Sequence, residues 1–161
     1  MKGMGVFDGY EFILKSYLDK IKHAYDFILI DCPPSLSMLT INALAAASSI
    51  LVPVQTQYLP AKGMTALMKT IAKIKRQINP ALEISGVLLT LVDSRTNLAR
   101  ATEETLRHQY GNHLRIYETR IPISVRAAEM SAAGQSIFAY DGGGKVAEAY
   151  AKLVQVVIAD A

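Results

Sequence analysis

The sequence is poor in cysteine, contains no tryptophan, and has no long hydrophobic run. A single cysteine among 161 residues excludes a disulfide framework and a metal cluster built on cysteines. Every apolar run is interrupted well before the roughly 20 residues that a membrane-spanning helix needs. The first residues also lack the pattern of a signal peptide. We therefore expect a soluble protein of a reducing compartment, the cytoplasm.

Charge is scarce as well: 19% of the residues are charged, and the net charge is +3. Hydrophobic residues make up 51% of the chain, which excludes bulk disorder. The small positive charge permits an anionic partner without requiring one. The length fits one domain, so we predict a single α/β domain over residues 1–161.

Two hydrophobic patterns alternate along the chain. Residues 10–21 have the spacing of an amphipathic helix, whereas residues 27–30 form a short continuous apolar run, typical of a strand buried on both faces. Later strand candidates are residues 50–54, 84–92, 114–117 and 137–139, and later helix candidates are residues 40–47, 64–78, 97–110, 125–133 and 145–158. This alternation predicts an α/β fold, with a mainly parallel sheet flanked by helices on both faces.

Asp31 is the sharpest site candidate, because it directly follows the apolar run 27–30. In a parallel sheet, ligands bind beyond the carboxyl ends of the strands. A carboxylate at that place can hold Mg²⁺, directly or through water, beside a nucleotide phosphate. An aspartate that only caps the loop after a strand produces the same short pattern, so this pattern by itself leaves both interpretations open.

A longer series of motifs surrounds Asp31. It comprises YDFILIDCPPSL at residues 25–36, TINAL at 40–44, VPVQ at 52–55, GVLLT at 86–90, DSRTN at 93–97 and IP at 121–122. In order and spacing, the series resembles the Soj-like branch of the ParA/MinD family of partition ATPases, over roughly residues 10–158. The resemblance implies a P-loop NTPase-like fold, in which Asp31 is the Walker B carboxylate that holds magnesium through water.

One motif of that family has no counterpart in the chain. In the family, a glycine-rich loop of the form KGGxGK[ST] holds the phosphates. Residues 1–6, MKGMGV, lack its second lysine and its serine or threonine. The resemblance therefore covers the C-terminal part of a partition ATPase, without the strand that carries this loop. ATP and magnesium are cofactors of the full-length family, and we predict that this chain alone binds neither tightly and hydrolyses no ATP.

The resemblance also assigns roles to residues beyond Asp31. Pro122 and Tyr150 match positions that line the adenine pocket, although Ile123 stands where the family commonly has arginine. Arg95 and Arg126 match basic positions that contact DNA without sequence preference. An arginine fork suits this task, because it pairs with phosphate oxygens and displaces counterions.

As a function, the resemblance implies ATP-driven partitioning of chromosomes or plasmids. In the family, an ATP-dependent dimer coats nucleoid DNA, and a ParB-like centromere-binding protein stimulates hydrolysis. The alternative is a non-catalytic interaction or dimerisation module that binds full-length ParA-like proteins or their partner protein.

The missing strand also bears on the partners. An apolar strand edge beside residues 27–30 would invite pairing with another chain, so we expect a homodimer or a domain-swapped assembly. The expected partners are thus a second copy, a ParB-like protein and non-specific DNA, with no membrane, in the cytoplasm and on the nucleoid.

Overall fold

A computed structural model describes residues 9–33, 35, 37–56 and 61–160. The helices are α1 Ile13–Ile21, α2 Met38–Ala46, α3 Ala61–Gln77, α4 Asn97–Tyr110, α5 Val125–Ala132, α6 Ile137–Asp141 and α7 Lys145–Ala159. The strands are β1 Ser49–Gln55, β2 Glu83–Val92 and β3 Ile116–Pro122, and short 3-10 turns at Tyr10–Phe12 and Lys22–Ala24 flank α1. Within the described ranges, no helix combines the length and hydropathy that crossing a bilayer requires.

Three strands of the described part form one sheet in the order β1-β2-β3. Strands β2 and β3 run parallel, with Val87 opposite Ile116 and Val92 opposite Pro122. The predicted α/β fold, a parallel sheet flanked by helices, is confirmed.

The chain divides into two compact units, one of residues 1–50 and 62–84 and the other of residues 51–61 and 85–161. In the first unit, Ile41 and Leu44 of α2 share a core with Ile71 and Ile74 of α3. The Asn79 side-chain amide also donates to two carbonyls at the end of α2, those of residues 44 and 47, over 3.0 and 2.8 Å. These bonds satisfy carbonyls that a helix end leaves free. Asn79 therefore does more than end α3.

The core of the second unit lies where α7 packs on β3. Val146, Ala149 and Leu153 are spaced to share one face of α7, and they pack with Tyr117 and Ile121 of β3. This face is apolar over two helical turns, so α7 is fixed along the length of the strand.

Tyr117 lies across Gly86 of the neighbouring strand. A Cβ at Gly86 would lie 2.7 Å from the Tyr117 ring and 3.0 Å from the Arg115 carbonyl oxygen. The φ of Gly86 is 155°, a value that side chains rarely allow. The motif GVLLT thus begins with glycine because the tyrosine ring needs that space.

The strand predicted at residues 27–30 is wrong. Residues 27–33 form neither helix nor strand, and Phe27, Ile28 and Leu29 are exposed, Leu29 to 91%. A strand exists only beside a hydrogen-bonded neighbour. Within the described part of the chain, the backbone of residues 26–32 forms no backbone–backbone hydrogen bond. The segment has the apolar pattern of a strand, but it lacks a hydrogen-bonded neighbouring strand among the described residues.

The edge strand predicted at residues 137–139 is also wrong, because these residues belong to α6. The Ser136 hydroxyl oxygen accepts a hydrogen bond from the Ala139 N–H over 3.2 Å, and the Tyr140 N–H donates to the Ser136 carbonyl over 2.9 Å. Serine at such a position starts a helix, and this cap outweighs three apolar residues in a row.

Strand β3 lies further along the chain than the predicted range 114–117. The second half of β3 contains the charged residues Glu118 and Arg120. A run of hydrophobic residues therefore does not indicate it. Both are compensated by α4: Glu118 pairs with Arg107 over 3.2 Å, and Arg120 pairs with Glu103 over 2.7 Å.

We predict that Gly86→Ala lowers the free energy of unfolding by about 1–3 kcal/mol, because the new methyl group overlaps the Tyr117 ring. Gly63→Ala is the matched control, since Gly63 is an exposed residue of α3 with nothing within 4 Å of an added Cβ. It should stabilise the protein by about 0.5–1 kcal/mol through helix propensity. Urea unfolding followed by circular dichroism measures both, and effects of the same sign would contradict the packing argument.

Candidate functional site

Three of the predicted site residues lie near the carboxyl ends of β2 and β3. Val92 is opposite Pro122, and the Ile123 N–H donates to the Val92 carbonyl over 3.1 Å, so the two strands end side by side. Arg95 follows β2, and Arg126 lies in the first turn of α5 after β3. This edge of an α/β sheet is where ligands commonly bind.

A cavity of about 480 Å³ that is largely open to solvent lies beside the carboxyl half of β3. Pro122 is among the residues that line it, and its contact with a base stays a prediction. Tyr150 does not line it and is exposed on α7. The other lining residues come from β2, β3, α7 and the loop after β2: Val92, Ser94, Glu118, Thr119, Arg120, Lys145, Glu148, Ala149 and Lys152.

Basic and acidic groups share the wall of this cavity. Arg120 and Glu118 are engaged with α4, as described above. Lys145 and Lys152 lie two turns apart on α7, are exposed, and form no ion pair with a described residue. An anionic group that enters the cavity would therefore meet two available ammonium groups.

Arg95 is held by Asp93, two residues before it. Its Nε and Nη2 donate to the two carboxylate oxygens of Asp93 over 2.9 Å each, and its backbone N–H donates to Oδ1 over 3.1 Å. These side-chain hydrogen bonds, helped by the backbone one, lower the pKa of Asp93 to about 2, and the carboxylate in turn raises the pKa of Arg95. Both groups stay charged at neutral pH. The Arg95 side chain remains 85% exposed.

Arg126 has a looser partner. Its Nη1 lies 3.5 Å from Oδ1 of Asp141, the last residue of α6. Beside this pair, the Tyr140 hydroxyl donates to Oε2 of Glu129 over 3.2 Å, and this hydrogen bond raises the pKa of Tyr140. The Arg126 side chain is more than half exposed.

Asp31 lies in the first unit, exposed, within the segment that forms no strand. The described residues contain no group of three side chains able to hold a metal ion. One carboxylate supplies too few oxygens for Mg²⁺, so an ion at Asp31 would need other ligands, such as nucleotide phosphates. Partial burial and the Asp31 charge raise the pKa of the Cys32 thiol, which disfavours a nucleophilic thiolate there.

Sequence reasoning missed Asp93 and Asp141 as partners of the two arginines. The spacing Asp-x-Arg at 93–95 was a usable signal, because residues two apart in a loop can close such a pair. No local signal joins Arg126 to Asp141, fifteen residues later, since only the packing of α5 and α6 brings them together.

Comparison with known proteins shows which family the chain belongs to. A family model described as AAA domain matches residues 4–84, half of the chain. The sporulation initiation inhibitor protein Soj of Bacillus subtilis is 41% identical over 147 residues, which cover 91% of this chain and 57% of that protein. The chromosome partitioning protein ParA of Myxococcus xanthus is 41% identical over 146 residues, 91% of this chain and 51% of that protein. The chain spans little more than half the length of these relatives.

Solved structures agree with this placement. Cobyrinic acid a,c-diamide synthase from Mycobacterium smegmatis, crystallised with bound ADP and magnesium, is 36% identical with a TM-score of 0.68, over 74% of this chain and 48% of that one. The cell division ATPase MinD of Pyrococcus furiosus shares the fold, with a TM-score of 0.72 and 23% identity over 94% of this chain and 59% of that one. The family model, the relatives and the fold agree: the chain belongs to the ParA/MinD superfamily, as a Soj/ParA-like member.

Proposed function

We propose that the chain takes part in partitioning of chromosomes or plasmids, on the nucleoid in the cytoplasm, and that Arg95 and Arg126 bind DNA phosphates there. The observation that carries the proposal is the position of the two exposed guanidinium groups, each just beyond one of two strand ends that lie side by side. A guanidinium fork pairs with phosphate oxygens without reading bases.

Two phosphate contacts form a small footprint. Each neutralised phosphate contributes about 0.9 to the slope of log affinity against log salt. Arg100, exposed in the first turn of α4, adds a third cation near the same strand end. Binding by this chain should therefore be weak, confined to low salt, and independent of sequence.

We predict that Arg95→Ala and Arg126→Ala each weaken binding to a labelled DNA duplex several-fold and reduce the salt slope by up to about 0.9, because all or part of one phosphate contact is lost. Fluorescence anisotropy over a series of potassium chloride concentrations measures both quantities. Arg115→Ala removes the same charge before the opposite end of β3, roughly 20 Å away, and should change binding much less. Equal binding by the wild type and both variants would remove the assignment.

For the nucleotide, we propose that the cavity at Pro122 takes the base end. Its apolar wall of Val92, Pro122 and Ala149 suits a base, and Lys145 and Lys152 suit an anionic group. We propose that Tyr150, which follows Ala149 directly but does not line the cavity, also contacts the base. Independently of this cavity, we propose Asp31 of the first unit as a magnesium ligand, with phosphate oxygens as the other ligands. The chain's residues fit the base, but the sequence holds no KGGxGK[ST] loop for the phosphates.

We predict that the purified 161-residue chain releases phosphate from ATP no faster than a protein-free blank containing magnesium. A longer Soj-type relative serves as the positive control. Asp31→Ala separates genuine turnover from contamination, because it removes the proposed magnesium ligand. Turnover by the wild type that Asp31→Ala abolishes would overturn the prediction.

We also propose a second copy of the chain as a partner, joined through residues 27–30. Support comes from three consecutive exposed apolar side chains on a backbone that forms no backbone–backbone hydrogen bond with another described residue, as on an unpaired sheet edge. Exposed Tyr10 and Tyr17 of the same unit add apolar surface.

We further propose that residues 1–161 form one domain, because the length of the chain fits one domain.

We predict a dimer whose population rises with protein concentration in multi-angle light scattering. Leu29→Lys should shift it to monomer, because a charge within the proposed pairing segment opposes pairing. Val125→Lys, at a site 74% exposed in the other unit, is the control and should leave the mass unchanged. A monomer at all concentrations would contradict self-pairing. A complex formed only with a full-length ParA-like protein would instead favour the non-catalytic interaction module.

A further inference from the structure

Both arginines assigned to DNA are already paired with an aspartate of this chain. We propose that Asp93 and Asp141 compete with DNA phosphates for these arginines and so hold the DNA affinity of this face low. The inference rests on the proposed DNA binding by Arg95 and Arg126.

The pair at Arg95 shows how this competition arises. Asp93 occupies Nε and Nη2 together, over 2.9 Å each, and a phosphate prefers a paired set of guanidinium donors of this kind. A phosphate must therefore displace the carboxylate from this edge of the guanidinium or bind the remaining hydrogens of Nη1 and Nη2 beside a fixed negative charge. The backbone N–H of Arg95 also holds Oδ1, so Asp93 stays in place when the side chain of Arg95 moves.

The pair at Arg126 is weaker for two reasons. It has a single contact of 3.5 Å instead of a fork. In addition, the Asp141 carboxylate lies against Gly144, where any side chain would overlap it, directly before α7. A carboxylate at such a place is also attracted by the positive end of the helix dipole, so Arg126 is not its sole electrostatic partner. Asp93 is therefore the stronger competitor.

This difference sets the order of the expected effects. Asp93→Asn should raise the affinity for a DNA duplex several-fold and steepen the salt slope by up to about 0.9, because one more guanidinium becomes free for a phosphate. Asp141→Asn should act in the same direction with a smaller effect. Asparagine keeps a carbonyl oxygen that accepts the Arg95 backbone N–H, so the loop should retain its shape.

The control is Asp160→Asn, which adds the same charge at another aspartate–arginine pair. Asp160 pairs with Arg115, which precedes the amino end of β3, roughly 20 Å along the strand from Pro122. The double variant Asp93→Asn/Arg95→Ala tests coupling, because a gain that passes through Arg95 must disappear with it. Fluorescence anisotropy at several salt concentrations measures all variants, and thermal melting by circular dichroism verifies folding.

A gain in Asp93→Asn that is absent in Asp160→Asn and lost in the double variant supports the inference. Equal gains in Asp93→Asn and Asp160→Asn would show an effect of net charge alone and overturn it. A loss of affinity in Asp93→Asn would make Asp93 a positioning residue instead and also overturn it. If Arg95→Ala weakens binding while Asp93→Asn changes nothing, only this inference fails; if Arg95→Ala changes nothing, the proposed DNA contact fails.

Discussion

The parallel pairing of β2 with β3 is the constraint on which the candidate DNA face depends. The Ile123 N–H and the Val92 carbonyl bring the two strand ends together, and both loops that carry an arginine start there. The pairing is irregular, with shifts of register on both sides of Leu89. Leu91 has a φ of 50°, a left-handed conformation that is costly for leucine. The end of β2 is therefore bent by the backbone itself before the loop begins.

Ion pairs between charged residues connect α4 to this sheet, and the pattern of hydrophobic residues does not indicate this contact. Glu103 accepts from Arg107 over 3.1 Å and from Arg120 over 2.7 Å, and its side chain is mostly buried. A mostly buried carboxylate with two guanidinium partners is satisfied, whereas loss of either partner would leave charge poorly compensated. Arg120, which lines the cavity at Pro122, thus already forms an ion pair with Glu103.

The sequence predictions succeeded where neighbouring residues determine the structure and failed where residues distant in the chain determine it. Helices α2, α3, α4, α5 and α7 lie within three residues of their predicted bounds, because helical periodicity and caps are local signals. Residues 27–30 and 137–139 were misjudged, since an apolar run becomes a strand only when another strand pairs with it. Among the site residues, Pro122 does line a cavity and both arginines are exposed. Their aspartate partners depend on tertiary packing, or on loop geometry that composition does not describe.

Residues 26–32, which share no backbone–backbone hydrogen bond with any other described residue, offer a way to observe assembly. Amide hydrogens without a partner exchange with solvent at rates near those of an unfolded chain, whereas those in a ladder are protected. The rate of deuterium uptake by the amides of this segment therefore reports whether another strand pairs with it. The protection of a few amides before Asp31 would distinguish assembled from unassembled molecules residue by residue, without a covalently attached probe.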